Sequence, residues 1–280
     1  MGTAAELAII AIVALVVGIV SVIAGFGGGV FLVPFIFTIF DYEFVIIVGS
    51  TLLAVIVFSI VGVLGARRRK EIDYKLAIIF AIPSSIGALV GAVVSDRIPE
   101  LILMIVMCLI AALLSYRMIR YAMREEIEIE KEKKASLLER IATIKPNVTI
   151  RQESYSYKVS IPILILAGLF SGLLTGLVGL SGGWLHTPLL ILGFGFPPLM
   201  ASGTSLLIIL IKALVGGGTH IIENHIDWYL FLSLALSLPL GAGIGTWLKR
   251  KMKRKQVSLF VGVSLLLVVI FILFSYFLSP

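Results

Sequence analysis

Apolar residues along this chain run together and do not alternate with polar ones. Long apolar stretches fall at about 5–24, 44–66, 75–95 and 100–119, and after a gap at about 159–179, 198–219, 229–248 and 257–279. A bilayer core about 30 Å thick needs roughly 20 such residues per helix, so each stretch predicts a spanning helix. Strands of a membrane barrel would alternate apolar and polar positions, and these segments do not. Two shorter apolar pieces, about 30–40 and 184–194, follow the first stretch of each set. They are too short to cross as helices. Met1 to Glu6 carries no Lys or Arg, so the first stretch lacks the cationic start of a signal peptide and is expected to stay in the protein.

Composition agrees with this pattern. Of 280 residues, 59% are hydrophobic and 14% charged, and mean hydropathy is +1.12. Soluble domains run near 45–50% apolar and about 25% charged. An ordinary soluble enzyme and a nucleic-acid-binding domain are therefore excluded, although the net charge is +7. The one cysteine, Cys108, allows no intramolecular disulfide and no multi-cysteine metal site.

The chain repeats itself. Shifted by 154, Gly25, Gly28, Gly29 and Pro34 fall on Gly179, Gly182, Gly183 and Pro188, and Gly49-Ser50-Thr51 falls on Gly203-Thr204-Ser205. Asp73 falls on Asp227, and Gly87 and Gly91 on Gly241 and Gly245. Over 21–91 there are 17 identities in 71 positions, concentrated on Gly, Pro and Asp. Apolar composition alone would not place them there. The expected organisation is membrane repeat 1 over 1–122, a charged linker over 123–158 and membrane repeat 2 over 159–280.

Charge gives orientation. Loop 67–75 holds Arg67, Arg68, Arg69, Lys70 and Lys75, while its mate 221–229 holds no Lys or Arg. Loop 95–100 holds Arg97 alone, while 249–255 holds six. Cytoplasmic loops carry the excess of Lys and Arg. The bias reverses between the halves, as in the inverted repeats of secondary transporters. The expectation is an all-α polytopic protein of the plasma membrane with the linker cytoplasmic and both termini external. Each inverted repeat has a Gly-broken or re-entrant first element plus three spans. The linker, with Arg124 to Lys134 mixing both signs, reads as a solvated helix. Asn147-Val148-Thr149 is a glycosylation sequon that would be inert on the cytoplasmic side.

Candidate chemistry lies at the glycine breaks. Gly27, Gly28 and Gly29, with Gly182 and Gly183 after Ser181, should interrupt a helix, since each glycine costs about 1 kcal/mol against alanine. Pro34 and Pro188 suit a new helix start. Broken backbone survives at membrane depth only in protein or beside a wet cavity, and free N–H groups at a helix start favour anions. Close helix packing is the competing explanation. Ser50, Thr51, Thr204 and Ser205 would add hydroxyl donors, against the alternative of bonding back to their own turn. Lys212 is an ionisable residue inside a span, functional by default, with snorkelling as the alternative. His186 follows the second break. His220 and His225 read as solvated loop residues, and Asp73 and Asp227 as helix N-caps. With no Asp or Glu at mid-span, no carboxylate ion-coupling site is evident.

At these residues the chain resembles the TauE/SafE family, the sulfite exporter and toluene-sulfonate-uptake-permease group. The resemblance covers nearly everything except the linker. It implies movement of sulfur-containing anions such as sulfite or sulfonates, often outward. The expected partners are a small anionic substrate and the bilayer, with no nucleic acid, and a homodimer is admissible. No catalytic residue, metal or cofactor is called for. Two other readings are a passive anion channel and an intramembrane serine protease. The latter rests on Gly179-Leu180-Ser181-Gly182 as G-x-S-G with His220 as base; Gly27, the mate of Ser181, argues that the site follows the repeat instead.

Overall fold

A computed structural model describes residues 3–95, 97–124, 145–152, 155–178 and 182–278. The helices are α1 (Ala4–Ala24), α2 (Gly29–Ile39), α3 (Phe44–Arg68), α4 (Tyr74–Ser95) and α5 (Glu100–Met123), then α6 (Ile161–Val178), α7 (Gly183–Pro188), α8 (Pro198–Ile222), α9 (Trp228–Lys249) and α10 (Arg254–Leu278). Among the described residues seven helices are long and apolar enough to cross a membrane, and α6, apolar throughout, is shorter at 18 residues. The protein is a polytopic helical membrane protein.

Local chemistry sets the helix ends. Thr3 and Glu6 form a reciprocal capping box on α1. Gly25 ends α1 at φ 76°, and its N–H returns to the Ser21 carbonyl, a left-handed closure that glycine adopts without a Cβ penalty. Asp73 Oδ1 accepts from Leu76 N at 2.8 Å, and Asp227 Oδ1 from Tyr229 N and Leu230 N, both at 2.9 Å. Both aspartates are thus the N-caps that the sequence suggests. After Pro188, which cannot donate an amide to the ladder, the chain continues as a π-helical turn, Leu189–Gly193.

The starts of α2, α3, α4 and α5 recur 154 residues later at α7, α8, α9 and α10. The packing follows the same exchange. α4 lies along α6, α1 along α9, α5 along α10, and α3 against both α8 and α9. The first and fourth helices of each half thus pack on those of the other half. Lipid offers no hydrophobic drive between helices, so close approach of small residues carries such contacts. Here an added Cβ at Gly172 would strike the Ser84 carbonyl, and one at Gly87 the Leu169 carbonyl, across α4 and α6. Gly18, Gly241 and Gly245 play the same part between α1 and α9. The outward faces stay apolar, with Val93 72% and Leu166 70% exposed.

The linker differs from its reading as a helix at its C-terminal end. Asn147–Gln152 (β1) pairs antiparallel with Tyr155–Ser160 (β2), where Val148, Ile150, Tyr155, Tyr157 and Val159 alternate with polar residues as a strand does. Most of the charged run 124–134 lies outside the described residues.

Candidate functional site

The two glycine breaks touch. The Gly25 carbonyl accepts a hydrogen bond from Ser205 Oγ at 2.8 Å and from Thr187 Oγ1 at 3.3 Å. Both donors belong to the other half. Gly183, the first residue of α7, sits directly on this backbone: an added Cβ would come within 2.5 Å of the Gly25 oxygen and 2.6 Å of the Phe26 carbonyl carbon. Gly182, just before it, adopts φ 81°. Around Gly182 three polar side chains converge. A Cβ there would lie 2.9 Å from Lys212 Nζ, 3.0 Å from Thr175 Cγ2 and 3.2 Å from His186 Cε1.

Lys212 Nζ donates to Thr175 Oγ1 at 2.8 Å, and Thr175 Oγ1 donates to the Gly172 carbonyl at 3.0 Å. Among the described residues no carboxylate pairs with Lys212. His186 is fully buried, packs its ring edge-on against Phe80 at 5.3 Å, and bonds through neither ring nitrogen among the described residues. The amides that open α7 have no intrahelical acceptors, as at any helix start.

A cavity of about 150 Å³ runs beside α8 from Lys212 to His220, walled by Leu52 of α3, Ser85 and Ala88 of α4 and Thr175 of α6. A single water needs about 10–15 Å³, so the space is large enough for several waters or a small polyatomic ion. Arranged around Gly182 are a cation without a carboxylate partner among the described residues, a hydroxyl, an imidazole and a helix start; of these, Lys212 and Thr175 line the cavity.

The matching break in the first half is apolar. Gly28, the mate of Gly182, is at φ 83°, and a Cβ there would meet Leu238, Val17 and, at 3.8 Å, Ser21 Oγ. The first half has Phe58 and Leu32 at the sequence positions that Lys212 and His186 occupy in the second. Gly27, Gly28 and Gly29 are therefore part of the break but not of the charged cluster. Ser50 and Thr204 form ties between halves. Ser50 Oγ accepts from Asp227 N at 3.0 Å, and Thr204 Oγ1 from Asp73 N at 3.1 Å. Thr51, the mate of Ser205, is buried without a partner among the described residues, and Ser181 lies outside them. Thr175 is the site residue that sequence reasoning missed.

The opposite ends of these helices are closed by charge. Arg69 pairs with Glu71 at 2.9 Å, and Lys249 Nζ stands 3.3 Å from Glu71 and 2.6 Å from Ser202 Oγ. Lys249 is 2% exposed. This cluster joins the α3–α4 loop to the ends of α8 and α9. Removing one partner of a buried pair costs about 3–5 kcal/mol because a lone charge remains. Glu71→Gln leaves two cations facing each other, whereas Lys249→Met leaves Glu71 with Arg69. Thermal unfolding in detergent should show Glu71→Gln as the more damaging change, with Lys249→Met added to it restoring part of the loss. Equal damage from the two single variants would deny the cluster this role.

The family model described as sulfite exporter TauE/SafE matches residues 10–272. The chain is 29% identical over 216 residues to the Bacillus subtilis (strain 168) protein titled "Probable membrane transporter protein YunE", across 75% of this chain and 76% of that one. No solved structure matches the chain significantly.

Proposed function

Because the chain belongs to the sulfite exporter TauE/SafE family, we propose that this membrane transporter carries a small sulfur-containing oxyanion, sulfite or a sulfonate, out of the cell by alternating access. The observation that carries this reading is Lys212: a lysine within a span, bonded to Thr175 and facing a cavity, with no carboxylate partner among the described residues. A cation at membrane depth is costly and calls for a counter-charge, and an anionic substrate supplies one. Gly182, Gly183, His186, Thr175 and Lys212 form the binding site in this reading. Gly27, Gly28, Gly29 and the Ser205 tie to Gly25 hold the break open, while Ser50 and Thr204 hold the loops.

Orientation comes from the positive loops. The Arg69–Glu71–Lys249 end is cytoplasmic and the His220 end external, with the two halves inverted. The arrangement then has its cavity toward the outside and its cytoplasmic end latched. Rocking of the halves would break the latch and open the other side. The plasma membrane is the location, and the sign of its potential favours exit of an anion by about 2.3 kcal/mol per charge per 100 mV. Efflux needs no coupling ion on this account, in keeping with the absence of mid-span carboxylates.

Proteoliposomes loaded with sulfite, and separately with an alkyl sulfonate, should release it faster when a potassium diffusion potential makes the interior negative. Uptake of labelled anion against unlabelled internal anion should show counterflow. Flux without counterflow would indicate the passive channel instead, and flux of neither anion would reject the substrate class. The protease alternative gains nothing from the fold. His220 is eight residues beyond Lys212 on α8, roughly 12 Å along the helix, and so away from Gly182.

A further inference from the structure

We infer that the α8–α9 loop carries a binding site for a first-row divalent metal ion of the Zn²⁺ type, formed by His220, Glu223 and His225, and that the bound ion clamps this loop over the cavity. One ligand atom from each residue lies within 4.8 Å of the other two. His225 Nδ1 stands 3.2 Å from Glu223 Oε2, yet without hydrogen-bond geometry. Zinc binds nitrogen and oxygen at about 2.0–2.1 Å in tetrahedral geometry, which puts neighbouring ligands roughly 3.4 Å apart. The imidazole–carboxylate pair is already at that spacing. His220 Nδ1 is buried and has no hydrogen-bond partner among the described residues.

The backbone brings the three together. Asn224 adopts φ 58°, and His225 N donates to the His220 carbonyl at 2.9 Å, so the chain turns back and sets the second imidazole beside the first, with ring centroids 5.7 Å apart. The loop lies directly on α3. A Cβ at Gly49 would collide with the His225 carbonyl and come within 3.2 Å of the His220 ring, and Ser50 bonds Asp227 just beyond. His220 also lines the cavity that ends at Lys212.

The duplicated scaffold says what is missing here. The mates of His220, Glu223 and His225 are Ala66, Arg69 and Glu71. In that loop the Glu71 carboxylate is met by two cations, Arg69 and Lys249. The mate of Lys249 is Ser95, the last residue of α4, and no lysine or arginine occupies 221–229. Among the described residues an acid and two imidazoles are left without a lysine or arginine partner such as Glu71 has, and a divalent ion fits that place. Two imidazoles and one carboxylate select a borderline metal over Mg²⁺ or Ca²⁺, which require oxygen shells.

The metal-binding claim stands independently of the proposed transport reading, and the clamping claim rests on it. The test is titration of ZnCl₂ into the purified full-length protein by calorimetry, with MgCl₂ as the counter-probe. The expected result is saturable binding of one Zn²⁺, at least tenfold weaker in His225→Ala and in Glu223→Gln, unchanged in Lys212→Met, and no Mg²⁺ binding. Absence of saturable Zn²⁺ binding, or equal binding in both loop variants, would overturn the site. External ZnCl₂ should then slow anion flux in the wild type at least tenfold more strongly than in His225→Ala. Bound Zn²⁺ with undiminished flux would overturn the clamp, and failure of flux in every sample would reject the transport reading while leaving the calorimetry to decide the site.

Discussion

Lys212→Met is expected to abolish most anion flux and to leave the protein as stable as before or more so. Truncating one member of a buried charge pair in a binding site costs about 2–5 kcal/mol. That corresponds to roughly 30-fold to several thousand-fold in affinity or rate. The variant keeps an unbranched apolar side chain, one atom shorter than lysine, and deletes the charge together with its N–H donors. Thr175→Val removes one neutral acceptor of the Lys212 ammonium and should cost about 1.5–3 kcal/mol, as for a hydrogen bond to a charged group, roughly ten- to 150-fold. The stability readout should move the other way. In the unliganded protein an ammonium at membrane depth with no carboxylate partner among the described residues is a cost, so Met at 212 should raise the melting temperature or leave it unchanged. A lysine that merely snorkelled would give different numbers: Met would cost little flux and little stability. Loss of flux with retained folding separates a substrate site from a packing site, and retained flux would remove Lys212 from the mechanism.

Much of the fold was legible because membrane helices are written in run length. Any stretch that satisfies its backbone internally and faces lipid must be long and apolar, so the spans at 44–66 and 198–219 announced α3 and α8. The glycine breaks were legible for a related reason, since little else explains Gly27, Gly28 and Gly29 followed by Pro34 within an apolar chain. Asp73 and Asp227 could be read as N-caps from their place before an apolar run. Hydroxyl partners could not be read. Ser50 and Thr204 each lie in an apolar helix where bonding to their own turn is the ordinary outcome, yet each ties a loop of the opposite half.

Thr175 shows the difficulty most clearly. Its hydroxyl does bond back to the Gly172 carbonyl, as expected of such a residue. It also accepts from Lys212, 37 positions away. Nothing local in the sequence distinguishes a threonine that does one of these from one that does both. The repeat gave a partial clue: its mate, Ser21, is likewise a small hydroxyl one turn before a break. The asymmetry between the halves was visible as Lys212 over Phe58 and His186 over Leu32. The sequence marked which half carried the charge, while the geometry gathered it around Gly182.

Gly183→Leu is expected to destroy the protein's function and most of its folded yield, and Gly183→Ala to do so in part. The reason is space and not backbone conformation, because Gly183 opens a right-handed helix and does not have the positive φ of Gly182. Its missing side chain is where the first half passes. An added Cβ would come within 2.5 Å of the Gly25 carbonyl oxygen and of Ile209 Cδ1, and 2.6 Å from the Phe26 carbonyl carbon. Ile209 can rotate; backbone held by Ser205 and Thr187 cannot. Overpacking of this kind typically costs 1–3 kcal/mol for a methyl group, and leucine adds a branched chain with nowhere to go. Gly218 provides the control, since it also lies in an apolar helix and a Cβ there meets nothing within 4 Å. Gly218→Ala should keep full flux and gain up to about 1 kcal/mol of helix stability. Melting temperature, monodispersity and flux of the alanine pair decide the matter. Folded, fully active Gly183→Ala would mean that the two breaks do not interlock, and the site built on their contact would fall with it. If Gly183→Ala alone is impaired, the requirement for glycine at 183 is a requirement for the other half's backbone to pass there. That contact is what sets the start of α7, and with it Gly182, against Lys212.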